Sequence, residues 1–297
     1  MTESKTAFIA IVGCPNVGKS SILNRLLGEK IAIVSPKPQT TRTRIMGVLT
    51  HNETQLVFTD TPGYHKPKNK LGEKMVKAVG EGIHDVDAAL LVVEPSGEIR
   101  EAEHTLIKKF ISADIPAILA INKVDTIENK EDLLARIMEF SKLYDFKAIV
   151  PVSALDGNGL DELLAELEAL AFPSEHLFPD DTLTDQPEKV IAAEYIREKI
   201  LRYTDKEIPH GTAVAIERFR EREDSDILDI EATIYCERDS HKGIIIGKNG
   251  AMLKRISSSA RIDMEKFFDC KVNLKCWVKV KEDWRNREGL IHNFGLD

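Results

Sequence analysis

From residue 7 to about residue 170, short apolar runs alternate with longer stretches in which apolar positions recur every three to four residues. The runs predict strands over 8–12, 45–50, 55–59, 88–93, 117–121 and 148–152, because strands covered on both faces read as continuous apolar stretches. The stretches between them predict helices over 19–27, 71–83, 101–112, 130–143 and 159–170, each with one apolar face to bury. Strand alternating with helix is the pattern of a parallel sheet covered by helices. The polar link His51-Asn52-Glu53-Thr54 is short enough for a hairpin, so that edge of the sheet is expected to be antiparallel.

The rhythm then changes. Pro173, Pro179 and Pro187 interrupt an acidic stretch with few continuous apolar positions. Proline fixes its own φ and biases the preceding residue to extended backbone, so a surface linker is expected over 173–188. Beyond it the pattern predicts a helix over about 189–202, strands over 212–220 and 228–236, a short helix, the tetrapeptide Gly247-Lys248-Asn249-Gly250, a long helix over 251–268 and a strand over 271–280. The expected organisation is a first domain over 1–172, the linker, and a smaller α+β domain over 189–297.

Composition changes this picture in one place. The chain has 297 residues, 42% hydrophobic and 30% charged, with a net charge of −8, which fits soluble domains and by itself argues against a nucleic-acid partner. The charge is uneven, however: residues 241–290 carry 12 Lys and Arg against 6 Asp and Glu, a basic segment able to meet phosphates. No apolar run approaches the ~20 residues of a membrane span, and Met1 to Lys5 carry no leader pattern, so a cytoplasmic protein is expected. Cys14, Cys236, Cys270 and Cys276 lack metal-ligand spacing and are expected to be free thiols.

The chemistry concentrates in four segments of the first domain. Gly13-Cys14-Pro15-Asn16-Val17-Gly18-Lys19-Ser20 matches G-x-x-x-x-G-K-[ST] and lies between a predicted strand and a predicted helix, the context in which backbone N–H groups and a helix dipole cradle phosphates. Gly13, Asn16, Val17, Gly18, Lys19, Ser20 and Ser21 are the candidate contacts. Lys19 would reach the β- and γ-phosphates, and the Ser20 hydroxyl would hold Mg²⁺. Asp60-Thr61-Pro62-Gly63 follows a predicted strand; Asp60 suits a role beside Mg²⁺, and the Gly63 N–H suits detection of a γ-phosphate. Asn122-Lys123-Val124-Asp125 follows the strand over 117–121. A carboxylate can accept from guanine N1–H and N2–H₂ together, whereas adenine offers no such pair, so Asp125 favours guanine. Lys123 would lie along the base, Asn122 would tie this loop to the phosphate loop, and Ser153-Ala154 would offer backbone N–H groups to guanine O6.

These segments, in this order, resemble the translation-factor-related GTPases. Gly243 to Gly250 resembles the core of a type II KH domain, whose G-x-x-G loop approaches an RNA backbone beside a groove for about four unpaired bases. A GTPase domain followed by a KH domain resembles the Era-like family of bacterial ribosome-assembly GTPases. The fold this implies is α/β: a P-loop GTPase domain with a mixed, mostly parallel sheet, then a smaller α+β type II KH domain. The resemblance implies GTP hydrolysis with Mg²⁺, binding to single-stranded 16S ribosomal RNA near its 3′ end, and assistance to 30S subunit assembly. It implies peripheral contact with the inner face of the cell membrane as well. A monomer is expected, with no DNA partner.

Thr41, the second threonine of the family's T-T-R pattern, is the candidate Mg²⁺ contact, with Thr40 its rival. Tyr64 stands where Ras-like enzymes carry a water-orienting glutamine. Asn16 matches an asparagine that ligates K⁺ in related GTPases; it either contributes that cation to catalysis beside Lys19, Thr41 and Gly63 or only braces the loop. On the RNA side the candidates are Lys242, Ile246, Gly247, Lys248, Asn249, Gly250, Lys254 and Arg255. At least one of Ile244, Ile245 and Ile246 is expected to be core. Trp277 reads as core in preference to a base platform, and Trp284 as either an RNA contact or a cap to the last strand.

Overall fold

In a computed structural model of the chain, residues 4–64, 67, 69–84 and 86–296 are described. Residues 1–3, on which the expectation about a leader rests, lie outside them. The chain forms two compact units. Unit 1 gathers 1–32, 41–66 and 74–185, and unit 2 gathers 33–40, 67–73 and 186–297.

Unit 1 is built on β1 (Lys5–Gly13), β2 (Ile45–His51), β3 (Thr54–Asp60), β4 (Ala88–Val93), β5 (Ala117–Ile121), β6 (Ala148–Pro151) and the two-residue β7 (Phe172–Pro173). The sheet order is β2-β3-β1-β4-β5-β6, with β7 beside β1. β2 runs antiparallel to β3, and the chain from β3 to β6 pairs in parallel, with Phe8 opposite Val57 and Val12 opposite Leu91. Every residue of β4 and β5 is buried, which is why these strands read as unbroken apolar runs. On one face lie α2 (Lys70–His84), α3 (Glu101–Ala113) and α4 (Lys130–Ser141), sealing a core in which Val79, Leu106, Phe110 and Phe140 meet Val12, Leu91 and Leu119. α1 (Lys19–Leu27) and α5 (Leu160–Glu168) are amphipathic as well, burying Ile22, Leu23, Leu163 and Leu167.

The proline-containing stretch is not a free linker. β7 pairs antiparallel with β1 through Lys5 and Pro173, the Gln55 amide oxygen accepts the N–H groups of Leu177 and Phe178 at 2.8 and 3.0 Å, and Val48 N–H donates to Leu183 O at 2.9 Å. Prolines forbid a helix there but leave enough backbone groups to satisfy the exposed side of β2, the edge strand.

Unit 2 holds α6 (Glu188–Tyr203), β8 (Ala213–Glu221), β9 (Ile227–Cys236), α7 (Asp239–Ile246), α8 (Ala251–Phe268), β10 (Lys271–Val280) and α9 (Glu288–Asn293). The sheet order is β10-β9-β8; β8 is antiparallel to β9, whereas β9 and β10 are parallel. A parallel pair needs a crossover, which α7 and α8 supply. Their core includes Tyr195, Ile196, Ile234, Ile245, Ile256 and Val278. Val272, Leu274, Cys276, Val278 and Val280 occupy the alternate positions of β10 that face this core, so Trp277 falls on the other side of the strand. It is 45% exposed, contrary to its reading as core. Trp284 is fully buried and donates its indole N–H to Gly211 O at 2.9 Å, which settles it as a structural residue. Of the three isoleucines, Ile245 is core and Ile244 is exposed.

Candidate nucleotide pocket and nucleic-acid loop

β1 ends at Gly13, and α1 begins at Lys19 after a left-handed Gly18 with φ 102°. A side chain at Gly18 would meet more than backbone strain, because a Cβ there would lie 2.1 Å from Nδ2 of Asn122. That closeness lets Asn122 bridge two loops: its Nδ2 donates to Val17 O at 2.8 Å and its Oδ1 accepts the Ala154 N–H at 3.0 Å. The loop runs into the first N–H groups of α1, where the helix dipole favours an anion. Asn16 is exposed and left-handed, with φ 64°.

Lys19 is buried and donates from Nζ to Gly13 O at 3.2 Å and Cys14 O at 3.1 Å. Nearby, Ser20 Oγ donates to Asp60 Oδ2 at 2.6 Å and lies 3.0 Å from Thr41 Oγ1, which is 3.4 Å from the same carboxylate oxygen. Asp60 is fully buried, and its Oδ1 has no hydrogen-bond partner among the described residues. Burial pushes the Asp60 carboxyl up, against Lys19, Ser20 and Thr41, and pushes the Lys19 ammonium down, against Asp60. Two hydroxyls and an under-satisfied carboxylate oxygen form a hard oxygen donor set that fits Mg²⁺. Among the described residues, no group of three or more His, Cys, Asp or Glu that could hold a metal occurs. Thr40 is not in this set; its hydroxyl donates to Lys37 O at 2.6 Å. The Asp60 to Tyr64 segment is tied to the end of β1, with Thr61 Oγ1 donating to Ile11 O at 2.9 Å and Tyr64 N–H to Gly13 O at 3.2 Å. Tyr64 turns its ring toward Lys109, whose Nζ is 5.6 Å from the centroid.

Asp125 accepts from the Ser153 hydroxyl at 2.6 Å. The Ser153 and Ala154 N–H groups, expected to face a base, donate instead to Asn158 O at 2.9 Å and Asn122 Oδ1 at 3.0 Å. The loop after β6 keeps the Ser153 N–H for itself but gives the Ala154 N–H to Asn122, while Val124 N–H donates to Val152 O at 3.2 Å and the Ser153 hydroxyl reaches Asp125. Sequence reasoning missed Glu94, which holds Lys123 Nζ at 2.7 Å. Burial works to raise the Glu94 pKa, but Lys123 and Arg100 outweigh it and hold the carboxyl below its usual range. No local pattern marks Glu94, because Lys123 is 29 residues away.

In unit 2, α7 stops at Gly247, with φ 73° and ψ 175°. A Cβ there would stand 2.7 Å from the Met252 Cβ, so glycine is required by space as well as by dihedral. Asn249 and Gly250 are also left-handed, with φ 51° and 77°. The turn presents exposed Lys248 and Asn249, and Lys254 is exposed on the first turn of α8. Arg255 lies over the Tyr203 ring at 4.1 Å from its centroid, while Lys242 and Ile246 are half-buried beside the turn.

Comparison with known proteins places these features in one lineage. Residues 8–123 match the family described as 50S ribosome-binding GTPase, and residues 207–285 match the KH domain. The chain is 52% identical over 293 residues to GTPase Era of Clostridioides difficile (strain 630), covering 99% of each protein. It is 51% identical over 291 residues to GTPase Era of Ruminiclostridium cellulolyticum, covering 98% of this chain and 97% of that protein. An Aquifex aeolicus Era variant bound to GDP and AlF4⁻ superposes with a TM-score of 0.94 at 39% identity, covering 98% of this chain and 99% of the other. Era in complex with MgGDPNP and nucleotides 1506–1542 of 16S ribosomal RNA gives the same TM-score and identity over 99% of both chains. With about half of its residues identical to Era proteins over almost its whole length, and a GTPase and a KH model matched in turn along it, the chain belongs to the Era family of GTPases.

Proposed function

We propose that this GTPase is a molecular switch that binds single-stranded 16S ribosomal RNA near its 3′ end through the 247–250 turn and assists 30S subunit assembly in the cytoplasm. The observation that carries the switch is the Ser20, Thr41 and Asp60 cluster beside the phosphate loop, with Asp60 Oδ1 left without a partner among the described residues. Mg²⁺ held by Ser20, Thr41 and Asp60 would neutralise phosphate charge. Lys19 would bind the β- and γ-phosphates, Gly63 would report the γ-phosphate through its N–H, and Thr41 would be released once that phosphate is lost. The structural relative holds MgGDPNP and nucleotides 1506–1542 of 16S ribosomal RNA, and we carry that pairing of ligands to this chain.

No glutamine follows Gly63, and Tyr64 packs toward Lys109. We assign no base to Tyr64. The left-handed, exposed Asn16 is the proposed ligand for K⁺ near the β- and γ-phosphates, where a cation would offset transition-state charge. Peripheral attachment to the inner membrane face remains part of the proposal on family resemblance alone.

The test is filter binding of an oligonucleotide with the 3′-terminal 16S sequence to the full chain loaded with a GTP analogue or with GDP. Binding at least about tenfold tighter in the GTP-analogue state supports the switch, since a useful coupling is ~1–3 kcal/mol. Equal affinity in both states would leave an RNA-binding protein that hydrolyses GTP for another purpose.

A further inference from the structure

Within unit 1 the sheet order puts β4 between β1 and β5, so the turn that leaves β4 lies between the phosphate loop and the Asn122 to Asp125 loop. Gly13 is level with Val92, Val93 is level with Ile121, and Asn122 N–H donates to Val93 O at 2.9 Å. Glu94 is the first residue beyond β4. Its carboxylate is shared: Oε1 accepts from Lys123 Nζ at 2.7 Å, and Oε2 accepts from Arg100 Nη2. Arg100 also interacts with the Cys14 thiol of the phosphate loop, so one guanidinium and one carboxylate tie three loops at the carboxyl edge of the sheet. The turn itself is set from α4 by Arg136, which is only 4% exposed. Its Nε donates to Glu94 O at 3.3 Å and its Nη1 donates to Gly97 O at 2.8 Å.

Lys123 is held at its backbone as well. It is left-handed, with φ 65°, and its carbonyl accepts the Thr126 N–H at 3.0 Å and the Thr126 hydroxyl at 2.7 Å. With backbone and ammonium both fixed, the four-carbon stem between them has lost most of its rotamer freedom through protein contacts alone. The side chains of Lys123 and Glu94 are 37% and 27% exposed, so the ion pair adds little to stability; its consequence is the direction of the lysine. We infer that Glu94 is a positioning residue for nucleotide binding: by holding the Lys123 ammonium it presents the lysine stem, already ordered, as the surface on which the base lies beside Asp125. The inference rests on the proposed reading of the Asn122 to Asp125 loop as the base site. It divides the work of that loop: Asp125 selects the base by its donors, whereas Glu94 and Lys123 set how tightly the base is held. Arg100 takes the second carboxylate oxygen of Glu94, which keeps the first aimed at the lysine.

Glu94→Ala, Glu94→Gln, Lys123→Met, the Glu94→Ala/Lys123→Met double variant and Asp125→Asn, all in the full chain, test it by calorimetric titration with GDP, XDP and inorganic pyrophosphate in the presence of Mg²⁺. Pyrophosphate has no base and reports the phosphate loop alone. Glu94→Ala is expected to weaken GDP binding about tenfold, the cost of ordering one long side chain on binding, and to leave pyrophosphate affinity within about twofold. Glu94→Gln, which keeps an oxygen to accept from Lys123 but not the charge, is expected to weaken GDP binding about threefold. In the double variant the Glu94 change should add nothing to Lys123→Met, because both act through one side chain. Equal losses of GDP and pyrophosphate affinity in Glu94→Ala would reveal a general brace of the sheet edge and overturn the inference, as would additive losses in the double variant. If Glu94→Ala fails to fold, the glutamine variant decides, and unchanged GDP affinity there overturns it. Asp125→Asn separates the two readings. A switch from GDP to XDP beside unaltered GDP binding by Glu94→Ala overturns the Glu94 inference alone, whereas the lack of a switch overturns the base-site reading and the inference with it.

Discussion

Replacing Asn122 by alanine should damage unit 1 in a measurable and local way. The side chain is 2% exposed and makes two buried bonds, to Val17 O at 2.8 Å and from Ala154 N at 3.0 Å. Alanine leaves both backbone groups without that partner, and Val17 and Ala154 are themselves buried. Each unsatisfied buried group costs ~1–3 kcal/mol, so a loss of about 3 kcal/mol is expected. With a urea slope of ~2 kcal/mol/M, the unfolding midpoint of unit 1 should fall by about 1.5 M. Both tryptophans, Trp277 and Trp284, lie in unit 2. Tryptophan fluorescence therefore follows the KH unit, while far-UV circular dichroism follows both. The early transition should appear in dichroism and leave the fluorescence midpoint in place. Affinity for GDP should fall about tenfold or more, because the phosphate loop loses its brace. A midpoint shift under about 0.3 M, with GDP affinity intact, would refute the claim that Asn122 ties the two loops.

Three further outcomes can be checked separately. Gly250→Asp should weaken RNA binding about tenfold by setting a charge against phosphate at a residue with φ 77°, with GTP affinity unchanged, and a filter-binding titration reads it. GTP turnover should be faster in K⁺ than in Na⁺ buffer, with the difference lost in Asn16→Ser; equal rates in the unaltered chain would remove Asn16 from the hydrolytic apparatus. Burial pushes the Cys276 thiol up to about 12. At about pH 8 only roughly one thiol in ten thousand is ionised, so iodoacetamide should label Cys276 slowly until the protein is unfolded, as mass spectrometry of quenched samples will record.

What could be read from the sequence was what is local in it. The phosphate loop is one contiguous string between a strand and a helix, and the helical and strand periods around it place most elements within a few residues of their observed ends. Asp60, Gly63, Asn122 and Asp125 stand out as candidates because each follows a predicted strand. What escaped depends on partners far along the chain. The hydrogen bonds of Gln55 to Leu177 and Phe178 and of Val48 to Leu183, which tie a supposed linker to the sheet, span over a hundred residues. The Ile33 to Thr40 segment reads as a polar loop after two prolines, and its membership of unit 2 rests on Arg197, Glu198 and Asp205. Trp277 was misjudged for a simpler reason: its hydrophobicity was weighed without the strand's phase, which Val272, Leu274 and Val278 set the other way.

The proposed guanine-reading role of Asp125 is tested directly by one measurement: turnover of GTP, ATP and XTP by the full chain and by Asp125→Asn. The amide replaces an acceptor with a donor, which no longer matches guanine N1–H and N2–H₂ but matches the exocyclic oxygen of xanthine. The unaltered chain should hydrolyse GTP with ATP unable to compete, and Asp125→Asn should lose GTP by about a hundredfold while gaining XTP, the reward and penalty of a paired hydrogen bond to the base. Undiminished GTP turnover in Asp125→Asn would contradict the assignment of the base-binding site and with it the reading of this pocket.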